Sequence, residues 1–336
     1  MSGKQIDWRS PLDESVAKTQ SGRIAFRPEE MALCKVCDRA NSPARLNCLY
    51  CGQELDRPAR LPETRTILRN PEPWEPAWNI VLLENAVGID FHDISLLLAM
   101  EPNEIAQIVA TNSPMPIARV ESKASADSLT SDLAGLGLKC FVIGDAELNV
   151  DFQPVRLRSI KFLADGFSFQ SFNTEKIAHI AADDLILIVE GIINRGRIES
   201  NEKRRRNSPS KVHSEVTMTS DERIVDIYVR GNSTGFRILP AGFDFSGLGK
   251  EMSQLAVENL ERLVSAISAL TPAAQLFDYT AVKRSLSLVW EIESRTDSLG
   301  LRQTGYGKRE FGSISSTSNL RQFTGYSRLL RHIYEK

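Results

Sequence analysis

The chain is 336 residues long, 42% hydrophobic and 25% charged, with a formal net charge of −2. That length is a prior for about two domains, and the composition is that of a soluble globular protein with enough apolar side chain for real cores. Near-neutral charge excludes a bulk polycation or polyanion, so electrostatic binding must come from local patches. No apolar run approaches the ~20 residues that span a bilayer.

Residues 1–30 open with MSGKQIDWRSPLDESV and read as a flexible N-terminus. The segment is polar and lacks the apolar core of a signal peptide, which implies a reducing, cytoplasmic setting where disulfides are rare. Two C-x-x-C pairs follow, Cys34 with Cys37 and Cys48 with Cys51. Each such turn places two sulfurs on one side of a tight loop, and two turns supply the tetrahedral thiolate set that zinc takes. Gly52 stands where the second turn needs a positive φ. About twenty residues cannot bury a sufficient core, and metal binding would supply roughly 10–16 kcal/mol of folding free energy. The expectation is a zinc ribbon over 31–55, with Cys34, Cys37, Cys48 and Cys51 as ligands of a structural Zn2+ and no position open for catalysis. The competing readings are a redox pair, which normally opens a helix in a βαβ unit, and unrelated buried thiols. Cys140, within CFVIG, reads as a small core residue.

The cysteine spacing resembles the small zinc-ribbon modules at the ends of many bacterial proteins. Cys37, Asn41 and Cys48 are also spaced as in the Ran-binding-protein type of zinc finger. That family carries Trp where Ala32 stands here, and its ubiquitin-binding members carry Thr-Phe where Asp38-Arg39 stands, so its ligand functions do not carry over.

Residues 56–77 contain Pro58, Pro62, Pro71, Pro73 and Pro76 and read as a semi-rigid spacer. Trp74 and Trp78 are placed to dock onto the next domain. Over 78–146 the pattern is β-α-α-β-α-β. A strand spans 78–83, and Asp90 or Asp93 caps a helix with Ile94, Leu97 and Leu98 on one face. Pro102 suits the first turn of a second helix, and Ile117 and Val120 fall in a short strand. Ser125 caps a third helix ended by Gly135 and Gly137, and 140–143 is the returning strand. In Ser122-Lys123, Ala126, Leu129, Leu133, Gly137 and Val142 this stretch resembles the C-terminal domain of the bacterial ribosomal stalk protein, a fold shared with the Clp protease adaptor. The resemblance implies binding of other proteins without catalysis. The stalk domain engages translation factors through a lysine-rich helical face; helix 101–111 here has two Glu and no Lys, so that partner is not implied. A small α+β domain of merely similar appearance is the alternative.

Residues 154–272 read as strands followed by a helix. Val155 to Leu163 leads to a hairpin turn at Asp165-Gly166, and Phe167 and Phe169 alternate. Leu185 to Ile193 is a continuous apolar run, either buried on both faces or sharply packed. Strands at 224–229 and 236–239 precede a helix from about Lys250 to Leu270, with Leu260, Leu263, Val264 and Ile267 in its apolar stripe. The order resembles a pleckstrin-homology-like antiparallel barrel capped by a helix, and the pieces 177–185 and 189–191 are similar to bacterial members. The resemblance implies binding of lipid headgroups or peptides. Between two strands lie Lys203, Arg204, Arg205, Arg206 and Lys211. They read as an anion-binding loop for phosphoinositide-like headgroups or nucleic acid, or as a solvated hairpin loop, which dilution by Ser208, Pro209 and Ser210 favours.

Residues 273–336 read as a helical extension. It comprises a helix over 277–293, a Gly/Ser/Thr-rich stretch over 296–319, and a final helix with Phe323, Tyr326, Leu329, Leu330 and Ile333. Arg321, Arg328, Arg331 and Lys336 on that helix suit stacking and charge contacts to single-stranded nucleic acid. They suit better an amphipathic helix packed on its own barrel or on a partner. Four scattered histidines form no H-E-x-x-H, and no G-x-S-x-G elbow is present. Gly249-Lys250 lacks the earlier glycine of a phosphate loop (Asp244 stands there), Glu251 replaces Ser/Thr, and the segment reads as a helix N-terminus. The whole is expected to be a multidomain α+β protein, a non-catalytic cytoplasmic adaptor or scaffold with protein partners. The alternatives are a nucleic-acid- or ribosome-associated binder and, more weakly, peripheral membrane binding.

Overall fold

The structure, a computed structural model, describes residues 31–41, 45, 47–55, 71–72, 75–85, 89–174, 176–204, 211–305 and 308–335. The expected flexible N-terminus and most of the 56–77 spacer, Trp74 included, lie outside the described residues. The chain divides into two compact units, Met1–Ile67 and Leu68–Lys336.

In the first unit, strands β1 (Ala32–Leu33) and β2 (Ala40–Asn41) pair antiparallel, and an isolated bridge joins Asn47 to Glu54. The only buried apolar side chains described there are Cys34, Cys48 and Leu55. So small a core leaves the fold dependent on whatever ties the thiols together.

The second unit begins with β3 (Trp78–Asn85), α1 (Phe91–Leu98), α2 (Pro102–Ala110), β4 (Met115–Val120), α3 (Lys123–Gly135), β5 (Leu138–Gly144) and the short α4 (Asp145–Leu148). The three strands form an antiparallel sheet in the order β4-β3-β5. Asp90 caps α1 by accepting from the His92 N–H at 2.8 Å. The cap of α3 is Ser122 and not Ser125, because the Ser125 N–H itself donates to Ser122 Oγ at 3.1 Å. Ile80, Ile94, Ile108, Leu129 and Leu133 lie in the core between sheet and helices.

Next come β6 (Val155–Phe162), β7 (Gly166–Ser171), β8 (Ile177–Ala181), β9 (Leu185–Arg204), β10 (Lys211–Val229) and β11 (Phe236–Ile238). They are followed by α5 (Ala256–Leu270), β12 (Gln275–Asp278), α6 (Tyr279–Leu286), β13 (Glu293–Gly305), β14 (Lys308–Ser318) and α7 (Leu320–Tyr334). Nine strands form one sheet in the order β13-β14-β9-β10-β11-β6-β7-β8, with β12 also on β9, and it curls into a half-barrel. A residue other than glycine at 166 would not fit, since its Cβ would lie 2.1 Å from the Ile180 carbonyl oxygen on β8.

The sheet is mixed where an antiparallel barrel was expected. β11 meets β6 in parallel, and β12 meets β9 in parallel after the α5 crossover, the long connection that parallel pairing requires. The helix expected from Lys250 starts only at Ala256. Residues Phe245–Glu251 form a 3₁₀ segment broken by Gly249 at φ 55°. The helix expected over 277–293 is shorter as well, because Gln275–Asp278 pairs with Leu187–Glu190 and Asp278 caps α6 through the Thr280 N–H. The Gly/Ser/Thr-rich stretch is the β13–β14 hairpin, so the C-terminal segment is not purely helical.

The run Leu185–Ile193 is buried on both faces. Leu187, Val189 and Ile193 pack with α6 and α7, and Leu185 and Ile188 pack with α5. Gly191 allows the first of these contacts, as a Cβ there would come within 2.9 Å of Tyr279 and 3.1 Å of Phe323. α7 shares one core with the three-stranded sheet, His332 stacking on Phe141. Arg328 on α7 donates to the carbonyls of Leu148, Asn149 and Phe152, fastening the connector between the two sheets. Under α7 lies a buried polar network. Arg237 grips Asp226 with two hydrogen bonds of 2.7 and 2.8 Å, Ser327 donates to Asp226 at 2.9 Å, and Tyr228 and Ser327 share a 2.7 Å bond. Burial pushes the Tyr228 phenol well above its ordinary range, so it stays protonated.

Beyond Asn194 and Asp221 the sheet becomes a four-stranded antiparallel arm, β13-β14-β9-β10, with Ile198, Val216, Met218, Leu299 and Leu301 exposed. Its outer strands, β13 and residues 211–220 of β10, have no further pairing partner among the described strands.

Candidate metal centre

The two C-x-x-C turns are built alike. In the first, the Cys34 N–H donates to the Arg39 carbonyl and the Asp38 N–H to the Cys34 carbonyl. In the second, the Cys48 N–H donates to the Gln53 carbonyl and the Gly52 N–H to the Cys48 carbonyl. The turning residues Asp38 and Gly52 both have positive φ, 52° and 74°. Glycine takes that conformation freely, and aspartate is among the few other residues that tolerate it. This repetition aims two sulfurs from each turn at a common point.

All four Sγ atoms lie within 4.8 Å of one another, with Cys34 to Cys51 at 3.5 Å and Cys37 to Cys48 at 3.6 Å. Disulfide sulfurs stand at about 2.05 Å, so these are not disulfides. Four sulfurs about 2.3 Å from a central ion would stand roughly 3.8 Å apart along the edges of a tetrahedron. The cluster therefore fits a four-coordinate metal ion, and Cys34, Cys37, Cys48 and Cys51 could hold one.

The surroundings favour bound thiolates. The Tyr50 N–H and the Asn41 amide donate to Cys48 Sγ at 3.4 and 3.5 Å. Asn41 is itself fixed, its Oδ1 accepting from the Leu49 N–H and its Nδ2 donating to the Arg39 carbonyl, each at 2.8 Å. Desolvation works against the Cys48 thiolate, but the N–H donors of Tyr50 and Cys51, with Asn41 and Cys37, bring its pKa down to about 6. The Gln53 N–H favours the Cys51 thiolate, yet desolvation and the three neighbouring sulfurs together push Cys51 up to about 12. Crowded thiols cannot all ionise by themselves, whereas a divalent cation would balance their charge. Sequence spacing identified the four cysteines; the outer support from Asn41 had no signal beyond its place between the knuckles. Cys140 is half-buried on β5, and burial pushes its thiol up to about 12.

The basic loop is only partly within the described residues. Lys203 and Arg204 end β9 and Lys211 begins β10, with Lys203 paired to Lys211 in the backbone register; Arg205 and Arg206 lie outside the described residues. The register also places Arg309 beside Arg204, adding a cation position that the sequence separates by a hundred residues. Among the described residues no helix is long and apolar enough to cross a membrane.

No protein-family model matches the chain, and no curated protein or solved structure matches it.

Proposed function

We propose that the protein is a non-catalytic cytoplasmic adaptor or scaffold that binds other proteins and carries one structural zinc ion. The single observation behind the binding role is the four-stranded arm. Its outer strands have no neighbouring strand among the described residues, and Val216, Met218, Leu299 and Leu301 are each about half exposed there. Edge strands are ordinarily blunted by charge, proline or a covering element, and an open one accepts an added strand from a partner. The partner we infer is a protein that lays an extended segment along the edge of β10 or β13. The element order β-α-α-β-α-β and the strand order β4-β3-β5 support a stalk-like module beside it. The half-barrel with α5 packed on it supports a pleckstrin-homology-like one, from which its two parallel strand pairs depart.

The test is partner capture from the native cell, read by mass spectrometry, with wild type and Met218→Asp side by side. Partners retained through nuclease and high salt by wild type, and lost by Met218→Asp, are expected. Loss of every partner under nuclease would sink the adaptor reading. Zinc is favoured over other ions because a saturated tetrathiolate is its usual structural site. Elemental analysis of reduced protein should give one zinc per chain, lost in Cys48→Ser with unfolding of the ribbon; metal-free wild type would refute it.

A second reading, polyanion binding at the arm tip, is favoured by the register that sets Arg309 beside Arg204 and Lys211 beside Lys203. Binding of that kind weakens steeply with salt as counterions are released, and salt-resistant capture would exclude it.

A further inference from the structure

A cleft of about 600 Å³ opens where the half-barrel meets the first residue of α7. Four cations from four separate strands and loops line it: Arg156, Lys176, Arg195 and Arg237. No carboxylate is among its described lining residues. Two of the cations are already balanced from behind, Arg237 by buried Asp226 and Arg195 by Glu222. Arg156 and Lys176 are left without an acid partner among the described ion pairs. Arg156 is held in place, its guanidinium 3.9 Å from the Phe172 ring centre and donating to the Ala241 carbonyl, while its Nε–H has no acceptor among the described residues.

The backbone adds to this field. Leu320, the first residue of α7, forms part of the wall, and the N-cap residue Asn319 makes no capping bond. Asn319 turns its Oδ1 to the Asn194 N–H instead, at 2.7 Å. The Leu320 N–H donates to Ser318 Oγ at 3.2 Å, so what the fifteen-residue helix contributes at the cleft is the positive end of its dipole. One side of the remaining lining is apolar, with Val155, Ile224 and Leu239, and the rest includes the polar Gln153, Ser171, Asn173 and Thr174. Converging cations, a helix dipole and an apolar surface in a cavity of ligand size match an anion with an apolar body.

We propose that this cleft binds a small organic phosphate, its phosphate monoester between Arg156, Lys176 and the start of α7, and its apolar portion against Val155 and Leu239. A soluble phosphorylated metabolite and a lipid headgroup share this chemistry. The site shares only Arg195 with the base of the arm and includes none of the exposed apolar residues there, so it stands or falls independently of the adaptor reading.

The experiment uses the full chain and two probes. Phenyl phosphate is titrated by calorimetry, and phosphatidylcholine vesicles with or without phosphatidate are tested by flotation. Saturable binding of either probe is expected, the first identifying a soluble ligand and the second a lipid source. Lys176 is exposed, so Lys176→Glu should keep the fold and weaken binding at least about tenfold, the effect of removing one charge-assisted contact. Lys161→Glu, an exposed cation outside the cleft, should bind as wild type. Failure of both probes to bind wild type would overturn the proposal. So would unchanged affinity in both Lys176→Glu and Arg156→Gln, or equal binding of benzyl alcohol.

Discussion

β9 and β10 run side by side almost throughout, yet their two halves live in different surroundings. In the inner half, Leu185–Ile193 lies against Glu222–Val229 with apolar side chains buried on both faces. In the outer half, Arg195–Asn201 lies against Ser214–Ser220, and no side chain of these segments is buried. The backbone ladder is the same in both. Pairing carries the register outward, while apolar content decides what is covered. Each ladder hydrogen bond contributes only about 0.5–1.5 kcal/mol net, so the outer half rests on cross-strand pairs and opens before the inner half.

The largest expected effect is at the buried ion pair. Asp226→Ala strands Arg237 in the core and should cost about 3–5 kcal/mol in urea denaturation. Glu222→Ala, which breaks the more exposed pair with Arg195 near the base of the arm, should cost about 1 kcal/mol or less. Equal costs would break the contrast. Two glycines in one strand sharpen it next. Gly191→Ala drives a methyl into Tyr279 and Phe323 and should cost about 1–3 kcal/mol. At Gly196 the nearest atom is the Thr317 hydroxyl, 2.6 Å from the added Cβ; that side chain can rotate away, so Gly196→Ala should stay within about 1 kcal/mol. The smallest effect is at Glu190. Burial raises its pKa, Asp278 and Glu261 adding to this and Arg223 opposing it. A carboxyl raised in the folded state binds more protons there than when unfolded. Its contribution therefore declines as pH rises above the ordinary value of 4.5 and stays lowered at neutral pH. Glu190→Gln should stabilise by less than about 1 kcal/mol at pH 7, and by nothing below about pH 4, in thermal melts across that range.

The same contrast explains what the sequence could tell. The run Leu185–Ile193 was legible because strands covered on both sides are apolar without alternation. Its continuation through Arg195–Arg204 was not, since polar side chains on two faces leave no period to detect. β13 and β14 were hidden for the same reason, Gly300, Gly312 and the Ser/Thr series resembling a linker. The cysteine cluster was legible because its ligands come in two local pairs. The cleft was not: Arg156, Lys176, Arg195, Arg237 and Leu320 converge only through the sheet order and the parallel β11–β6 junction. The basic positions on α7 suit nucleic-acid contacts by spacing alone, but Arg328 is buried against backbone carbonyls and Arg321 pairs with Asp151.

The burial of Leu185–Ile193 on β9 has a consequence for how the chain is made. Asn319, at the start of α7, hydrogen-bonds the Ile192 carbonyl across 127 residues of sequence. At roughly 5–20 residues per second, a ribosome extrudes this water-averse strand on the order of ten seconds before its cover exists. For that interval the nascent polypeptide displays a sticky ribbon, and a chaperone engaging it then would act on timing alone, without altering the finished molecule.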